Sequence, residues 1–206
     1  MLRSMNDSTP NSADEPLPRS PLLMSGSDTG LLVVDVQGKL VGLIDGHAAL
    51  VWNIRRLLDA AAALDVKIAA TEQYPKGLGP TVPELGERFK LIPDKTAFSC
   101  RECGKLFEQF RAAGISKILV VGIEAHVCVQ QTVHDLLADG FAVYVAADAI
   151  GSRHAIDKEF ALRRMDSAGA VLTTTEAAMF ELCERSGTPA FKTISKLVQE
   201  TPPEGT

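Results

Sequence analysis

The 206-residue chain reads as a single α/β domain built on a mostly parallel sheet of six strands, with helices on both faces and right-handed crossovers. Three observations lead there. Short β-branched runs alternate with longer segments of helical period from residue 31 almost to the C-terminal end. Glycines stand just past three of those helical segments, at 114, 140 and 169. The length is enough for one domain with a full core and too short to favour a second.

Taken in order, residues 1–28 are rich in Ser, Pro, Asn and Asp and read as a disordered tail. They lack the basic start and apolar stretch of a secretory signal. Arg3 and Arg19 are outnumbered by Asp7, Asp14, Glu15 and Asp28, against a mitochondrial leader. The folded domain is expected over 29–200, with a short tail at 201–206. Residues 31–36 form the first, buried strand. Residues 48–64 are helical, with Val51, Ile54, Leu57, Leu58 and Ala61 on one face. Strand 66–71 leads into a Gly/Pro-rich loop at 74–83, long enough to act as a functional loop or lid. Residues 90–92 are a candidate third strand, and 103–113 a helix. Strand 117–121 is broken by Gly122 and followed by a helix at 127–138. Strand 141–145, helix 157–168 and strand 170–173 come next. Helix 175–185, N-capped near Thr174 or Thr175, and helix 191–199 complete the chain.

Composition narrows the function. Hydrophobic residues make up 46% and charged residues 23%, as in an ordinary soluble domain. A net charge of −5 and the lack of any Lys/Arg cluster argue against a nucleic-acid partner. No apolar run approaches the roughly 18 residues of a membrane span. Four cysteines are too few for a disulfide scaffold of this length, so reduced thiols and a cytoplasmic setting are expected. Cys100-Arg-Glu-Cys103 has no second ligand pair at zinc-site spacing and reads as structurally incidental. His126 and His134 are eight apart, and His47 and His154 are isolated, so no metal site is expected. Phosphate-loop patterns are absent, and Lys76-Gly77-Leu78-Gly79-Pro80 lacks the strand-to-helix setting of one. No cofactor is expected.

Chemistry concentrates at strand ends. Cys128 follows strand 117–121 in Val120-Val121-Gly122-Ile123-Glu124-Ala125-His126-Val127-Cys128, in the first turn of the next helix. Free N–H groups and the positive helix end are expected to lower a thiol's pKa there. The bland alternative is a buried small hydrophobe. Asp35 ends the first strand; a carboxylate buried there needs a partner, unless it merely caps a helix or fixes a turn. Lys95 follows Pro93 in what reads as a fixed loop, although most lysines are simply solvated. Together the three form a recognisable set: a carboxylate to accept the thiol proton, an ammonium to hold negative charge, and a helix terminus to donate to an oxyanion. His126 is a lower-ranked candidate base, because a residue two before the nucleophile need not point the same way. Glu124 also stands at a strand end. Asp148 reads as fixing the turn near Gly151.

These residues resemble the isochorismatase-like cysteine hydrolases, a superfamily that includes nicotinamidases and N-carbamoylsarcosine amidohydrolases. The resemblance rests on Val33-Val34-Asp35-Val36-Gln37, Asp94-Lys95-Thr96-Ala97-Phe98-Ser99 and Gly122-Ile123-Glu124-Ala125-His126-Val127-Cys128, in family order, and covers residues 31–198. Segments 71–79 and 191–197 look most like the isochorismatase-domain-containing branch. The resemblance implies a Rossmann-like three-layer α/β/α sandwich, a catalytic triad of Asp35, Lys95 and Cys128, and a homo-oligomer. It also implies a cis peptide before Glu124, with Ile123, Glu124 and Ala125 forming the oxyanion segment. Gln37, Gln73, Tyr74 and Phe98 are pocket candidates for a small-molecule substrate. The chain departs from the metal-binding nicotinamidases in reading Thr71-Glu72-Gln73-Tyr74-Pro75, without their Asp-x-His segment. True isochorismatases lack the cysteine that this chain carries at 128. The expected reaction is therefore C–N (amide-type) bond hydrolysis through a thioester. The alternative is a catalytically silent or redox-responsive binding scaffold, and nothing in the sequence favours a nuclease.

Overall fold

The computed structural model describes residues 18–203. Its elements run β1 (Thr29–Val34), α1 (Gly38–Val41), α2 (His47–Ala63), β2 (Lys67–Gln73), α3 (Pro75–Leu78), α4 (Pro83–Gly86), β3 (Asp94–Lys95), a 3-10 turn (Cys100–Cys103) and α5 (Gly104–Ala112). They continue with β4 (Lys117–Ile123), a π turn (Ala125–Val129), α6 (Gln130–Ala138), β5 (Ala142–Gly151), α7 (Ala155–Ser167), β6 (Val171–Thr173), α8 (Thr175–Cys183) and α9 (Pro189–Val198). The strands form one sheet in the order β3-β2-β1-β4-β5-β6, with every neighbouring pair parallel.

Successive side chains of a strand leave opposite faces of the sheet, and the core divides accordingly. Leu31, Val33, Leu119, Val121 and Tyr144 pack with Ile54, Leu57 and Leu58 of α2, Met179 and Leu182 of α8, and Ile194 and Leu197 of α9. Leu32, Val34, Ile118, Val120, Val143 and Val145 face Phe107 and Phe110 of α5, Val133 and Leu136 of α6, and Ala161 and Met165 of α7. The result is a three-layer α/β/α sandwich. Among the described residues no helix is long and apolar enough to cross a membrane.

From β1 the chain moves outward through β2 and β3, then returns to the far side of β1 for β4. The crossovers therefore reverse between β1 and β4, and ligands of open α/β sheets bind at such a switch point, beyond the strands' carboxyl ends. Gly122 lets the two strands close there. Its φ is +121°, and a Cβ would lie 2.1 Å from the Val34 carbonyl oxygen, which leaves no room for any side chain.

Several elements differ from their sequence reading. The third strand is at Asp94–Lys95 rather than 90–92, so Lys95 lies on the sheet edge instead of in a following loop. β2 reaches Gln73, and the 74–83 loop contains one short helical turn, α3, and runs into a second, α4. β5 continues to Gly151 because its end pairs with Gly122 and Ile123 past an irregularity in the β4 register. Asp148 thus lies within a strand. Its carboxylate accepts from the Thr175 N–H (2.8 Å) and hydroxyl (3.0 Å), which pins the start of α8 rather than the turn near Gly151. Part of the expected tail at 1–28 packs on the domain. Arg19 donates to the carbonyls of Met24 (2.5 Å) and Glu181 (2.6 Å), Lys117 donates to Leu23 O (2.7 Å), and Met24 is fully buried. Residues 1–17 and 204–206 lie outside the described residues, and 201–203 have no regular secondary structure.

Candidate active site

Asp35 is the first residue past β1. Its φ is +51°, a left-handed conformation that costs a non-glycine residue about 1–3 kcal/mol and concentrates at functional sites. Its N–H donates to Thr71 O (3.1 Å) and its carbonyl accepts from the Gln37 N–H (2.8 Å). The carboxylate accepts from the Thr71 hydroxyl at Oδ1 (2.8 Å) and from the Lys95 ammonium at Oδ2 (2.6 Å). Both side chains of that ion pair are fully buried.

Register places Lys95 opposite Gln73 on β2. Its Nζ also donates to Gln73 Oε1 (2.8 Å) and Phe98 O (2.8 Å), with Ala97 O at 3.3 Å. Burial opposes the charge, but Asp35, then Cys100 and Cys128, outweigh it, and the ammonium holds its proton more tightly than an ordinary lysine. Removing an ion pair from water costs several kcal/mol per ion, repaid only when the remaining donors and acceptors are satisfied, as they are here.

Cys128 lies in the π turn after β4, a geometry that recurs at functional sites. In this turn the Glu124 carbonyl accepts from Val127 (3.1 Å) and Val129 (3.2 Å), passing over the Cys128 N–H between them. Only 5% of Cys128 is exposed. Burial first, and then the charge of Asp35, push the thiol well above its ordinary pKa. A side-chain hydrogen bond to Asp35 adds to this, and Lys95 offsets it only in part. The expected lowering by the helix terminus is therefore overturned. A full negative charge in a dry site outweighs the partial charges of one helical turn.

The peptide bond between Ile123 and Glu124 is cis. Ile123 and Ala125 are fully buried. The Glu124 carboxylate accepts from the N–H (3.1 Å) and Nε (3.0 Å) of Arg153, which ties this segment to the chain leaving β5. His126 points elsewhere than the thiol. Its Nδ1 is 3.0 Å from Ser152 Oγ, and its Nε2 is 3.8 Å from an Asp157 oxygen.

The four pocket candidates divide. Gln37 is fully buried and donates to Gln73 O (3.0 Å) and Gly79 O (2.6 Å) while accepting from the Gln73 N–H (2.8 Å), so it braces the 74–79 segment. Gln73 is buried and spans from Lys95 to Thr96 O (2.8 Å). Neither side chain is free to line a pocket. Tyr74 and Phe98 are 55% and 53% exposed, and both are anchored through Lys95. The Tyr74 N–H donates to Lys95 O (2.9 Å), and Phe98 O accepts from Lys95 Nζ. Gly77 lies directly under the Tyr74 ring, where a Cβ would come within 2.6 Å.

Two site residues escaped the sequence reading. Thr71 touches Asp35, and Cys100, half of the supposedly incidental pair, lies 3.3 Å from the Thr71 hydroxyl. Thr71 was findable as a polar residue at a strand end; Cys100 had no local signal. Among the described residues no group of three metal-ligating side chains comes together.

Fold and site together define a three-layer α/β/α protein with an acid, a lysine and a thiol at the switch point of a parallel sheet. Residues 29–177 match the family model described as the isochorismatase domain. Isochorismatase domain-containing protein 2 of Danio rerio is 38% identical over 181 residues, 88% of this chain and 92% of that protein. Among solved structures, MAR1 ribonuclease from Caenorhabditis elegans is 41% identical with a TM-score of 0.81, over 88% of this chain and 95% of that one. YcaC from Escherichia coli and Pseudomonas aeruginosa is 25% identical with a TM-score of 0.79, over 87% of this chain and 91% and 93% of those chains. The first YcaC is described as an octameric hydrolase of unknown specificity, and the second carries hexane-2,5-diol and covalent acrylamide. The chain belongs to the isochorismatase family, a family of hydrolases.

Proposed function

We propose that the protein hydrolyses a C–N bond of a small amide-type substrate through a thioester on Cys128. The carrying observation is the fully buried Asp35–Lys95 pair at 2.6 Å, whose carboxylate charge acts on the Cys128 thiol strongly enough to raise it. Asp35 takes the thiol proton as sulfur attacks the carbonyl carbon, and Lys95 stays charged to hold the new negative charge. The passed-over Cys128 N–H, with backbone N–H groups at Glu124 or Ala125, is assigned to the oxyanion; one such donor is worth about 10²–10³ in rate. Asp35 returns the proton to the departing amine, then takes one from the water that cleaves the thioester and passes it to the leaving Cys128 sulfur, restoring the thiol and the carboxylate. The sum is amide plus water giving acid plus amine. A redox-responsive scaffold would instead show reversible sulfenate on Cys128 with no amide turnover.

Incubating the protein with a panel of small amides and measuring released ammonia or amine tests the reading. Full turnover by Cys128→Ala would overturn it. A mass increase on the Cys128 peptide after substrate addition would support the acyl-enzyme. Covalent acrylamide on the related YcaC makes acrylamide a fitting probe to try on Cys128.

A second reading, RNA cleavage, is favoured by the similarity to the C. elegans MAR1 ribonuclease. The enclosed ammonium and the net charge of −5 weigh against it. Shortening of a labelled RNA that is lost in Cys128→Ala and Lys95→Met would establish it. Octameric YcaC supports action as a homo-oligomer, and the exposed Ile156, Phe160, Val171, Leu172 and Phe180 on α7, β6 and α8 offer apolar surface for it. The free thiols of Cys100, Cys103, Cys128 and Cys183 support a reducing, cytoplasmic setting.

A further inference from the structure

We propose that Thr71 and Cys100 are positioning residues for Asp35: Cys100 donates its S–H to the Thr71 hydroxyl, which is thereby committed to donating its own proton to Asp35 Oδ1. This rests on the reading that Asp35 is the proton acceptor of Cys128, and it adds a second tier to that site. Proton counting carries it. An ionised carboxylate only accepts, so the single Thr71 proton points at Oδ1, 2.8 Å away. The Thr71 oxygen then faces Cys100 Sγ at 3.3 Å with lone pairs alone, and the bond between them needs the sulfur's proton.

The surroundings keep the chain of donors in place. Thr71 is 1% exposed and Cys100 fully enclosed. The Cys100 N–H donates to Thr132 Oγ1 (2.9 Å), and Ser99 Oγ donates to Asp135 Oδ2 (2.6 Å), both on α6, which continues from the turn that carries Cys128. The 3-10 turn is thus pinned to the nucleophile's own helix. Burial, then the charge of Asp35, push the Cys100 thiol up to about 12, which keeps it a donor across the working pH range. The other titratable groups facing Asp35 are Lys95 from β3, Cys128 from the π turn and Cys103 from the 3-10 turn. With Lys95 on Oδ2 and Thr71 on Oδ1, the carboxylate plane is held from two sides while it waits for the Cys128 proton.

The test needs no substrate. Alkylation of Cys128 in the full chain by iodoacetamide is followed against pH by peptide-resolved mass spectrometry, and the acid midpoint of the rate reports capture of the thiol proton. Removing the Thr71 donor in Thr71→Val moves that midpoint up by about one pH unit, about 1.4 kcal/mol at 1.36 kcal/mol per unit. Cys100→Val moves it in the same direction by less. Thr71→Ser and Cys100→Ser, which restore an O–H donor, bring it back. The proposal is overturned if Thr71→Val and Cys100→Val leave the midpoint in place. It is equally overturned if Cys100→Ser shifts as far as Cys100→Val, since shape rather than a donor would then be at work. Should Thr71→Val fail to fold, the two Cys100 variants decide alone. Failure of the hydrolase reading shows separately, as absence of amide turnover in a protein whose alkylation profile still responds to these substitutions.

Discussion

Replacing Lys95 by Met removes an ammonium whose side chain is wholly enclosed and which meets four oxygens. The variant leaves the Asp35 carboxylate buried with the Thr71 hydroxyl as its remaining side-chain donor, and leaves Phe98 O and Gln73 Oε1 without theirs. Breaking one side of a buried pair costs about 3–5 kcal/mol. For a domain of this size, where about 1 kcal/mol shifts the melting temperature by about 2–4 °C, the midpoint falls by roughly 6–20 °C. The double variant Asp35→Asn/Lys95→Met removes both charges and loses less, about 2 kcal/mol, from the two carbonyl acceptors still orphaned. Urea unfolding followed by circular dichroism for the wild type, both single variants and the double variant completes the cycle, and a coupling of about 2 kcal/mol or more is expected. If Lys95→Met loses under 1 kcal/mol, or the double variant loses the sum of the singles, the two side chains do not form the coupled pair on which the mechanism depends.

Further outcomes follow from the same geometry. On the proposed mechanism, which makes the thiol the nucleophile, Cys128→Ala lowers amide turnover by about 10³-fold or more while changing stability by under about 2 kcal/mol, read by product release and urea midpoint on one preparation. Gly122→Ala fails to accumulate as folded protein or loses about 4 kcal/mol or more, because its Cβ would lie 2.1 Å from Val34 O at φ +121°; soluble yield and circular dichroism check it. Stability declines in base through Cys100. Its folded pKa is raised from 9.0 to about 12, so its contribution is complete below pH 9 and is lost as the pH climbs toward 12. Urea midpoints between pH 8 and 11 fall less steeply in Cys100→Val than in the wild type.

Much of the scaffold was legible because its signals are local. Apolar runs, helical period and terminating glycines placed four of the six strands and the long helices within a few residues, and the start of β5, whose end lies six residues further on. Gly122 marked the break after β4, and Asp35 stood out as an acid ending an apolar run. The third strand was misplaced because two residues of pairing leave no periodic pattern, and the pairing itself is made by Glu72 and Gln73 on β2. Gln37 and Gln73 were pocket candidates through the family resemblance. Their partners proved to be the Lys95 ammonium and backbone groups, up to 42 residues away in sequence.

By itself, the sequence determined the layer architecture, the side of the sheet on which chemistry gathers, and three residue types able to move a proton and form an acyl intermediate. These depend on short-range pattern and on side-chain identity. Only the tertiary structure decided the direction in which the Cys128 thiol is pushed, the burial of Lys95, and the membership of Thr71 and Cys100. Each of those is set by what lies opposite in space: a carboxylate within hydrogen-bond reach and the exclusion of water reverse the direction in which a helix terminus alone would push a thiol.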